Sequence, residues 1–206
     1  MTLLQSLTEQ YGKNTPISSD EIEFEDYSRV WIYKELNRLC KENKIERFEK
    51  GIYYIPTETP LGRSILNPRK VIEKKYIKNK NGVLGYYSGY TVLNRLNLTD
   101  QNSAATELYT NNASARVREL NIGGQRVIAR KARVPIDEKN AAVLCFLEIM
   151  NFLSPSEFDD EKKNILIDYI KKYGITRSDI TKYAPAFPDN AMRTLIESEV
   201  IYSVAQ

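Results

Sequence analysis

The segment from Ser28 to Ile55 changes from a helical spacing of apolar residues to a strand spacing. At 3.6 residues per turn, one side of the predicted helix is apolar and the other is basic. The apolar side consists of Ile32, Tyr33, Leu36, Leu39 and Cys40. The basic side consists of Trp31, Lys34, Arg38 and Lys41. We therefore expect one face of this helix to enter a core and the other to meet an anionic partner.

Two short strands are predicted after this helix. They cover residues 45–48 and 52–55, and Gly51 lies near the turn between them. A long helix followed by a glycine-tipped hairpin is the arrangement of a recognition helix and its wing. The pattern therefore predicts a winged helix-turn-helix that contacts DNA.

Two shorter helices are predicted before the long one. Residues 2–11 have a small apolar face and are followed by a glycine. Ser18 and Glu21 have the spacing of a capping box, which predicts a second helix through Phe24. A turn over residues 25–27 would then lead into the long helix, which completes the order of a helix-turn-helix.

DNA contact is favoured over plain α+β packing because four features coincide: the capped short helix, the turn, the basic face and the hairpin. Arginine and asparagine can each make two hydrogen bonds to a base, and lysine suits a base or a phosphate. The residues predicted to contact DNA are Ser28, Arg29, Trp31, Lys34, Asn37, Arg38, Lys41, Arg47 and Lys50. For Trp31, packing at the domain edge is as well supported as contact with a thymine methyl group or a sugar.

Residues 56–68 separate two predicted domains. This segment holds three prolines and a glycine, a composition typical of a boundary. We predict a winged helix-turn-helix domain over residues 1–57 and a C-terminal domain over residues 67–206. The predicted fold class is α+β, with the winged helix-turn-helix followed by a larger mixed α/β domain that ends in helices.

The C-terminal domain is predicted to begin with a lysine-rich helix from Pro68. A glycine pair predicts a tight hairpin between strands over residues 116–122 and 125–134. A nearly uniform apolar segment predicts a buried helix over residues 141–153. Beyond it we expect helices that begin at the capping box of Ser154 and Glu157, at residue 178 and at residue 188, and a strand over residues 200–204.

Positive charge is concentrated in the middle of the chain. Residues 1–56 carry 8 basic and 10 acidic side chains, residues 57–140 carry 15 and 7, and residues 141–206 carry 7 and 10. Contacts of lysine and arginine with phosphate supply most sequence-independent affinity for nucleic acid. A secondary basic surface is therefore predicted from Lys70, Lys74, Lys75, Lys78, Arg126, Arg130, Lys131 and Arg133. A solvated lysine face is the more common meaning of such a run.

Composition excludes several kinds of site. The chain has no histidine, which excludes Ser-His-Asp and Cys-His triads and histidine-bearing metal motifs. Its 2 cysteines lie far apart in apolar patterns, so we predict neither a disulfide framework nor a zinc site. The first residues lack the pattern of a signal peptide and no apolar run could span a bilayer, so we expect a cytoplasmic protein without a membrane partner. We predict no cofactor, no metal and no catalytic residue.

One turn leaves an enzymatic alternative open. Glycines lie on both sides of Ser88 at the start of an apolar helix, and a related turn cradles phosphate in nucleotidyltransferases. Those enzymes also need paired carboxylates to hold magnesium, and the next strand offers only Glu107. We interpret the turn as structural and keep a nucleotidyltransferase as a remote alternative.

Three stretches, taken in order, carry a family resemblance. They are SRVWIYKELNRL with KGIYYIP, GYYSGYTVLNRLNLTDQ followed by ATELYTNNAS, and RELNIGG with the strand after it. Together they resemble the AbiEi-type antitoxins and related transcriptional regulators of bacterial type IV toxin-antitoxin systems. The resemblance implies a cytosolic repressor that binds its own operator in double-stranded DNA, with a C-terminal domain that counteracts a nucleotidyltransferase-like toxin. It places DNA contact on Arg29, Trp31, Lys34, Arg38, Lys41, Arg47 and Lys50.

A protein-interaction module is the main alternative, with the winged helix as a scaffold that binds no DNA. The oligomeric state is also open. Helix-turn-helix repressors often bind palindromes as dimers, but the sequence shows no coiled-coil heptads.

Overall fold

Helices and short strands are interspersed up to residue 131, and beyond it the elements of the described residues are all helices. The structure, a computed structural model, describes residues 1–24 and 27–204, so most of the predicted turn over residues 25–27 lies outside the described residues. Within that range there are eight α-helices: α1 (Leu3–Tyr11), α2 (Arg29–Lys41), α3 (Pro68–Tyr76), α4 (Gly89–Arg95), α5 (Ala141–Phe152), α6 (Asp160–Tyr173), α7 (Arg177–Tyr183) and α8 (Asp189–Glu197). Short 3-10 helices cover Ser19–Glu21, Pro155–Glu157, Ala184–Ala186 and Val200–Ser203. The predicted mixture of α and β structure is confirmed.

The strands are short. They are β1 (Ile17–Ser18), β2 (Glu46–Glu49), β3 (Ile52–Tyr54), β4 (Glu58–Thr59), β5 (Gly62–Arg63), β6 (Lys78–Asn79), β7 (Gly82–Val83), β8 (Gly85–Tyr87), β9 (Thr106–Thr110), β10 (Val117–Ile122) and β11 (Gln125–Lys131). The sheet orders are β1-β3-β2, β4-β5, β6-β7 and β10-β11-β9-β8. In the last sheet β9 and β11 run parallel, with Thr106 opposite Val127, whereas β8 runs antiparallel to β9.

The chain divides into two units, each with its own apolar core. Unit 1 contains residues 1–74 and 122–124, and unit 2 contains residues 75–121 and 125–206. The core of unit 1 includes residues of α1, β1, α2 and β3. The core of unit 2 is larger and is built mainly from α5 and the helices that follow it.

Unit 1 begins with α1, as the apolar pattern predicts. Thr2 and Gln5 form a capping box, in which each side chain accepts a hydrogen bond from the backbone N–H of the other. Leu3 and Leu7 are buried on one side of the helix. Gly12 ends the helix with a φ of +70°, a conformation that favours glycine.

The predicted second helix of unit 1 does not form. Ile17 and Ser18 pair instead with Tyr53 and Ile52 as strand β1, and only the short 3-10 helix of residues 19–21 follows. The side chain of Ser18 makes no capping hydrogen bond. An isolated helix of this length is marginal, whereas the pairing with β3 completes a sheet and buries Ile17 fully. A local capping pattern could not reveal that distant strand partner.

The predicted long helix and hairpin are confirmed. The hydroxyl of Ser28 accepts a hydrogen bond from the backbone N–H of Trp31 at 3.3 Å and so caps α2. The buried residues of α2 are Ile32, Leu36 and Leu39. The turn between β2 and β3 contains Gly51, whose φ is +81°.

Helix α5 is the centre of unit 2, as its apolar sequence predicts. Its residues from Val143 to Met150 are all buried, and they pack against α4, α7, α8 and β8. None of the helices in the described residues, α5 included, is both long and apolar enough to cross a membrane.

Two predictions for the last third of the chain are wrong in part. The capping box of Ser154 and Glu157 forms, but it opens a short 3-10 helix, and α6 begins only at Asp160 after its own cap. The predicted strand over residues 200–204 is a 3-10 helix. Val200 and Val204 are both buried in the core of unit 2, so the apolar spacing there reflects burial and not strand pairing.

We expect Cys145 to react with a maleimide only when unit 2 unfolds. Its thiol lies inside α5 beside the backbone oxygen of Tyr87, and burial raises its pKa to about 12. Little thiolate therefore exists at neutral pH, and reagent cannot reach it. In the Cys40→Ser variant, labelling measured by mass spectrometry should be slow in buffer and fast in denaturant. Fast labelling of folded protein would contradict this packing, and Cys145→Ser reports the half-buried Cys40 for comparison.

Candidate nucleic-acid interface

The exposed side of α2 has four residues at its centre, which we call the α2 stripe. They are Val30, Lys34, Asn37 and Lys41. Their spacing places them within a sector of about 60° on a helix with 3.6 residues per turn. The sector lies opposite the buried face, and all four side chains are exposed.

The polar side chains of the α2 stripe have no partners among the residues that the structure describes. The side chains of Lys34, Asn37 and Lys41 form no hydrogen bond or ion pair with any other residue in the described part of the chain. Each ammonium group offers three donors, and the amide offers two donors and an acceptor. The structure therefore brings these three predicted residues together in a form that can contact an external ligand.

Arg38 lies at the border of the α2 stripe and is held by two carboxylates. Its guanidinium donates to Glu35 at 2.5 and 2.9 Å and to Glu42 at 2.5 Å. The hydrogen bond from Arg38 holds the pKa of Glu35 below its usual value, so that carboxylate stays charged at neutral pH. Lys44 also pairs with Glu42, at 2.8 Å. The donors that a guanine contact would need are thus engaged within the protein.

Arg29 connects the start of α2 to the segment before it. Its guanidinium donates to the backbone oxygen of Ser19 at 3.1 Å. The backbone N–H of Ser19 donates in turn to the oxygen of Gly51 at 2.8 Å, in the turn of the β2-β3 hairpin. The backbone of Ser19 therefore joins α2 to the hairpin. Ser28, as the cap, and Arg29 both hold the first turn of the helix in place.

Trp31 packs in an aromatic stack at the edge of unit 1. Its ring centre lies 4.0 Å from that of Tyr27 and 5.9 Å from that of Phe24, with the planes close to parallel. Phe24 is buried and Tyr27 is exposed, so the indole lies between core and solvent. The structure gives Trp31 the packing role, and its contact with DNA stays a prediction.

The hairpin carries two exposed cations. The guanidinium of Arg47, on β2, donates to the backbone oxygen of Glu49 at 3.3 Å. Lys50 lies in the turn and has no partner among the described residues. Arg47 also lies near Cys40 of α2. Burial raises the pKa of the Cys40 thiol, and the nearby positive charge of Arg47 opposes that shift. Both cations therefore belong to the same unit as the α2 stripe.

Two members of the predicted secondary basic surface lie in unit 1 and are engaged there. The ammonium group of Lys70 donates to the backbone oxygen of Asn14 at 2.9 Å. The side chain of Lys74 is only 16% exposed, pairs with Glu21 at 2.6 Å and lies 5.0 Å from the ring centre of Tyr11. Lys74 therefore contributes to the packing of α3 and not to a solvated lysine face.

The other members of the secondary basic surface lie in unit 2. Four of them are paired: Lys78 with Glu138, Arg126 with Glu119, Arg130 with Glu107 and Arg133 with Glu148. Lys75 lies near the ring of Tyr76. Lys131 is exposed and has no side-chain partner within the described residues. Local acids therefore offset much of the positive charge that the middle of the sequence carries.

Arg133 is the most enclosed of these four cations. Its guanidinium lies 5.2 Å from the ring centre of Tyr109 and 5.0 Å from that of Phe187, and it donates to Glu148 at 3.2 and 3.3 Å. Burial raises the pKa of Glu148, and the charge of Arg133 opposes the rise. Arg133 thus compensates a buried carboxylate on α5, which is a structural task.

The turn at Ser88 is packed and not open. Ser88 is 2% exposed, and its hydroxyl has no hydrogen-bond partner within the described residues. Gly89 follows with a φ of +55°, and a β-carbon there would meet the carboxylate of Glu107 at 2.5 Å. That carboxylate pairs with Arg130 at 2.7 Å. The acid nearest this turn is therefore already engaged by a cation of its own unit.

The predicted set of DNA contacts omits Val30. Val30 is uncharged, so it does not stand out when the faces of α2 are distinguished by charge. Helical spacing alone would have included it, because Val30 precedes Lys34 by one turn and Asn37 by two. Its side chain is 63% exposed.

We expect Tyr27→Ala to shift the fluorescence of Trp31 to longer wavelength, because the indole loses the ring that covers it. Trp31 is the single tryptophan of the chain, so its emission reports on this stack alone. Loss of the stacked pair should lower the free energy of unfolding by about 1 kcal/mol. Tyr33→Ala is the matched control. Tyr33 is on the same helix as Trp31, but its hydroxyl donates to Asp20 and its ring is not part of the stack. An unchanged emission in Tyr27→Ala would contradict the stack.

The chain matches no model of a known protein family. It also matches no curated protein. The likeness to AbiEi-type antitoxins therefore stays a prediction.

Proposed function

We propose that the protein is a DNA-binding transcriptional regulator in which unit 1 is a winged helix-turn-helix domain. The observation that carries the proposal is the α2 stripe. Two lysines and an asparagine without protein partners among the described residues share the centre of one exposed helix face. These are residue types that contact bases and phosphates when a helix lies in the major groove.

The order of elements in unit 1 supports this proposal. Helix α1, the 3-10 helix of residues 19–21, α2 and the β2-β3 hairpin follow one another in the sequence of a winged helix-turn-helix. The 3-10 helix occupies the place of the second helix. The hairpin supplies Arg47 and Lys50, which suit contact with phosphates on either side of the groove.

The electrostatic part of binding is modest in this proposal. Within the described residues, Lys34, Lys41, Arg47 and Lys50 are the cations of α2 and the hairpin with neither a carboxylate partner nor a contact to the segment before α2. Four phosphate contacts correspond to a slope of about −3 to −4 for the logarithm of affinity against the logarithm of salt concentration. Orientation by the α2 stripe then matters more than charge in locating the operator.

The likeness to AbiEi-type antitoxins extends the proposal to a toxin-antitoxin operon. In this part of the proposal the protein represses its own operon in the cytoplasm and neutralises a nucleotidyltransferase-like toxin. Unit 2, which has its own core, would provide the toxin contact. The ion pairs of Arg126, Arg130 and Arg133 support a protein-binding role for this part of unit 2 over a phosphate-binding one.

A protein-interaction module without DNA binding is the second candidate. Two aliphatic side chains favour it: Leu61, between β4 and β5, is fully exposed, and Ile65 shortly after it is nearly so. A contiguous exposed apolar patch is typical of a protein contact surface, and these two residues are close enough in sequence to contribute to one. Capture of a partner encoded beside the gene, together with the absence of any DNA shift, would favour this candidate.

A gel shift with the full chain tests the proposed function. The probe is the DNA upstream of the protein's own gene, and an unrelated sequence of equal length serves as competitor. We expect a shift that the competitor does not abolish and that the double variant Lys34→Ala, Lys41→Ala loses. Equal affinity for both sequences, or no shift at low salt, would overturn the proposal.

We expect Lys41→Ala and Arg38→Ala to differ in the salt dependence of operator binding. Loss of the unpaired Lys41 should reduce the magnitude of the slope by about 1. Loss of Arg38, whose charge Glu35 and Glu42 offset, should change it by much less. Fluorescence anisotropy at several salt concentrations measures the slope for each variant. The two variants are comparable because residues 38 and 41 lie within one turn of the same helix. Equal reductions would mean that Arg38 leaves its carboxylates when DNA binds.

A further inference from the structure

We propose that Val30 is a specificity-determining residue that contacts the 5-methyl group of a thymine in the operator. The inference rests on the proposed DNA-binding function and assigns the aliphatic member of the α2 stripe. It also defines a chemical feature of the operator half-site, namely a thymine at one position in the major groove.

The position of Val30 favours this role. It is the second residue of α2, and the first residues of a recognition helix are the ones that reach base edges. Its side chain is 63% exposed and lies on the side of α2 opposite Ile32, Leu36 and Leu39, so it takes no part in the core of unit 1. The thymine methyl group is the apolar feature of the major groove, and an aliphatic side chain is its natural partner.

The stiffness of the valine side chain adds to the argument. A β-branched residue in a helix strongly prefers one χ1 rotamer, so its methyl groups have a fixed direction. The first turn that carries Val30 is itself fixed by the Ser28 cap and by the bond from Arg29 to Ser19. The methyl groups therefore meet a ligand with little loss of conformational freedom.

The α2 stripe also sets a spacing. Val30 and Asn37 are seven residues apart, which is about 10 Å along a helix axis. Base pairs are about 3.4 Å apart, so the two side chains reach positions about three base pairs from each other when the helix follows the groove. Asparagine pairs with adenine through two hydrogen bonds. The half-site should therefore contain a thymine and an adenine at about this separation.

The test uses the operator fragment that the full chain shifts in the gel. Each thymine of this fragment is replaced in turn by deoxyuridine. Deoxyuridine lacks only the 5-methyl group, so base pairing is unchanged. We expect one replacement to weaken binding by the wild-type chain about fourfold, the effect of one buried methyl group. Val30→Ala should bind the thymine operator about as weakly and should be insensitive to that replacement.

Two further variants complete the design. Val117→Ala removes another exposed valine, 53% accessible against 63% for Val30, from β10 of unit 2 and should leave the affinity for both operators as in the wild type. Val30→Thr keeps the β-branched shape with one methyl group and should show an intermediate sensitivity. Melting temperatures establish that all variants fold, which an exposed position such as residue 30 permits.

The outcomes separate this inference from the function on which it rests. If wild type and Val30→Ala respond equally to every deoxyuridine, or if neither responds to any, Val30 does not read a methyl group and the inference is overturned while the DNA-binding function stands. A chain that shifts no upstream DNA overturns the function and the inference together. Loss of methyl sensitivity in Val30→Ala alone supports the inference.

Discussion

Burial of one face of α2 is the constraint on which unit 1 depends. Ile32, Leu36 and Leu39 are almost fully enclosed, and they fix the rotation of the helix about its own axis. The direction of every other side chain of α2 follows from this rotation. The α2 stripe is exposed for this reason, since it consists of the residues half a turn away from the core. The same rotation leaves Trp31 at the border, where the aromatic stack encloses it.

The charges of this protein act mostly in local pairs. Arg38, Arg126 and Arg130 each have a carboxylate within 3 Å, although a count along the sequence treats them as free cations. A guanidinium with such a neighbour presents little net charge to a phosphate at a distance. Lys34 and Lys41 are fewer but unpaired among the described residues, so they should contribute more to the proposed DNA binding. Position on the folded surface, and not the number of basic residues, decides where an anion is attracted.

Sequence reasoning predicts the parts of the fold that local signals define. The cap at Ser28, the helical period of α2 and the glycine of the hairpin turn lie within a short stretch, and that stretch folds as predicted. Strand β1 could not be predicted, because its partner β3 is distant in sequence and the capping pattern at Ser18 competes with it. The burial of Lys74 against Glu21 and Tyr11 has the same cause. The ion pairs of Arg38, in contrast, are predictable from the sequence, because Glu35 and Glu42 have the spacing of helical ion pairs.

The backbone of Ser19 has a consequence for the thermodynamics of recognition. Its N–H donates to the hairpin turn and its oxygen accepts from Arg29, so the two elements that carry the proposed DNA contacts are attached to one residue. The surface is therefore formed before any partner arrives, and association need not order it. The heat capacity change of binding should then scale with the area of the contact alone, without the larger value that accompanies coupled folding. In the proposed function, recognition of DNA by unit 1 would therefore be rigid docking.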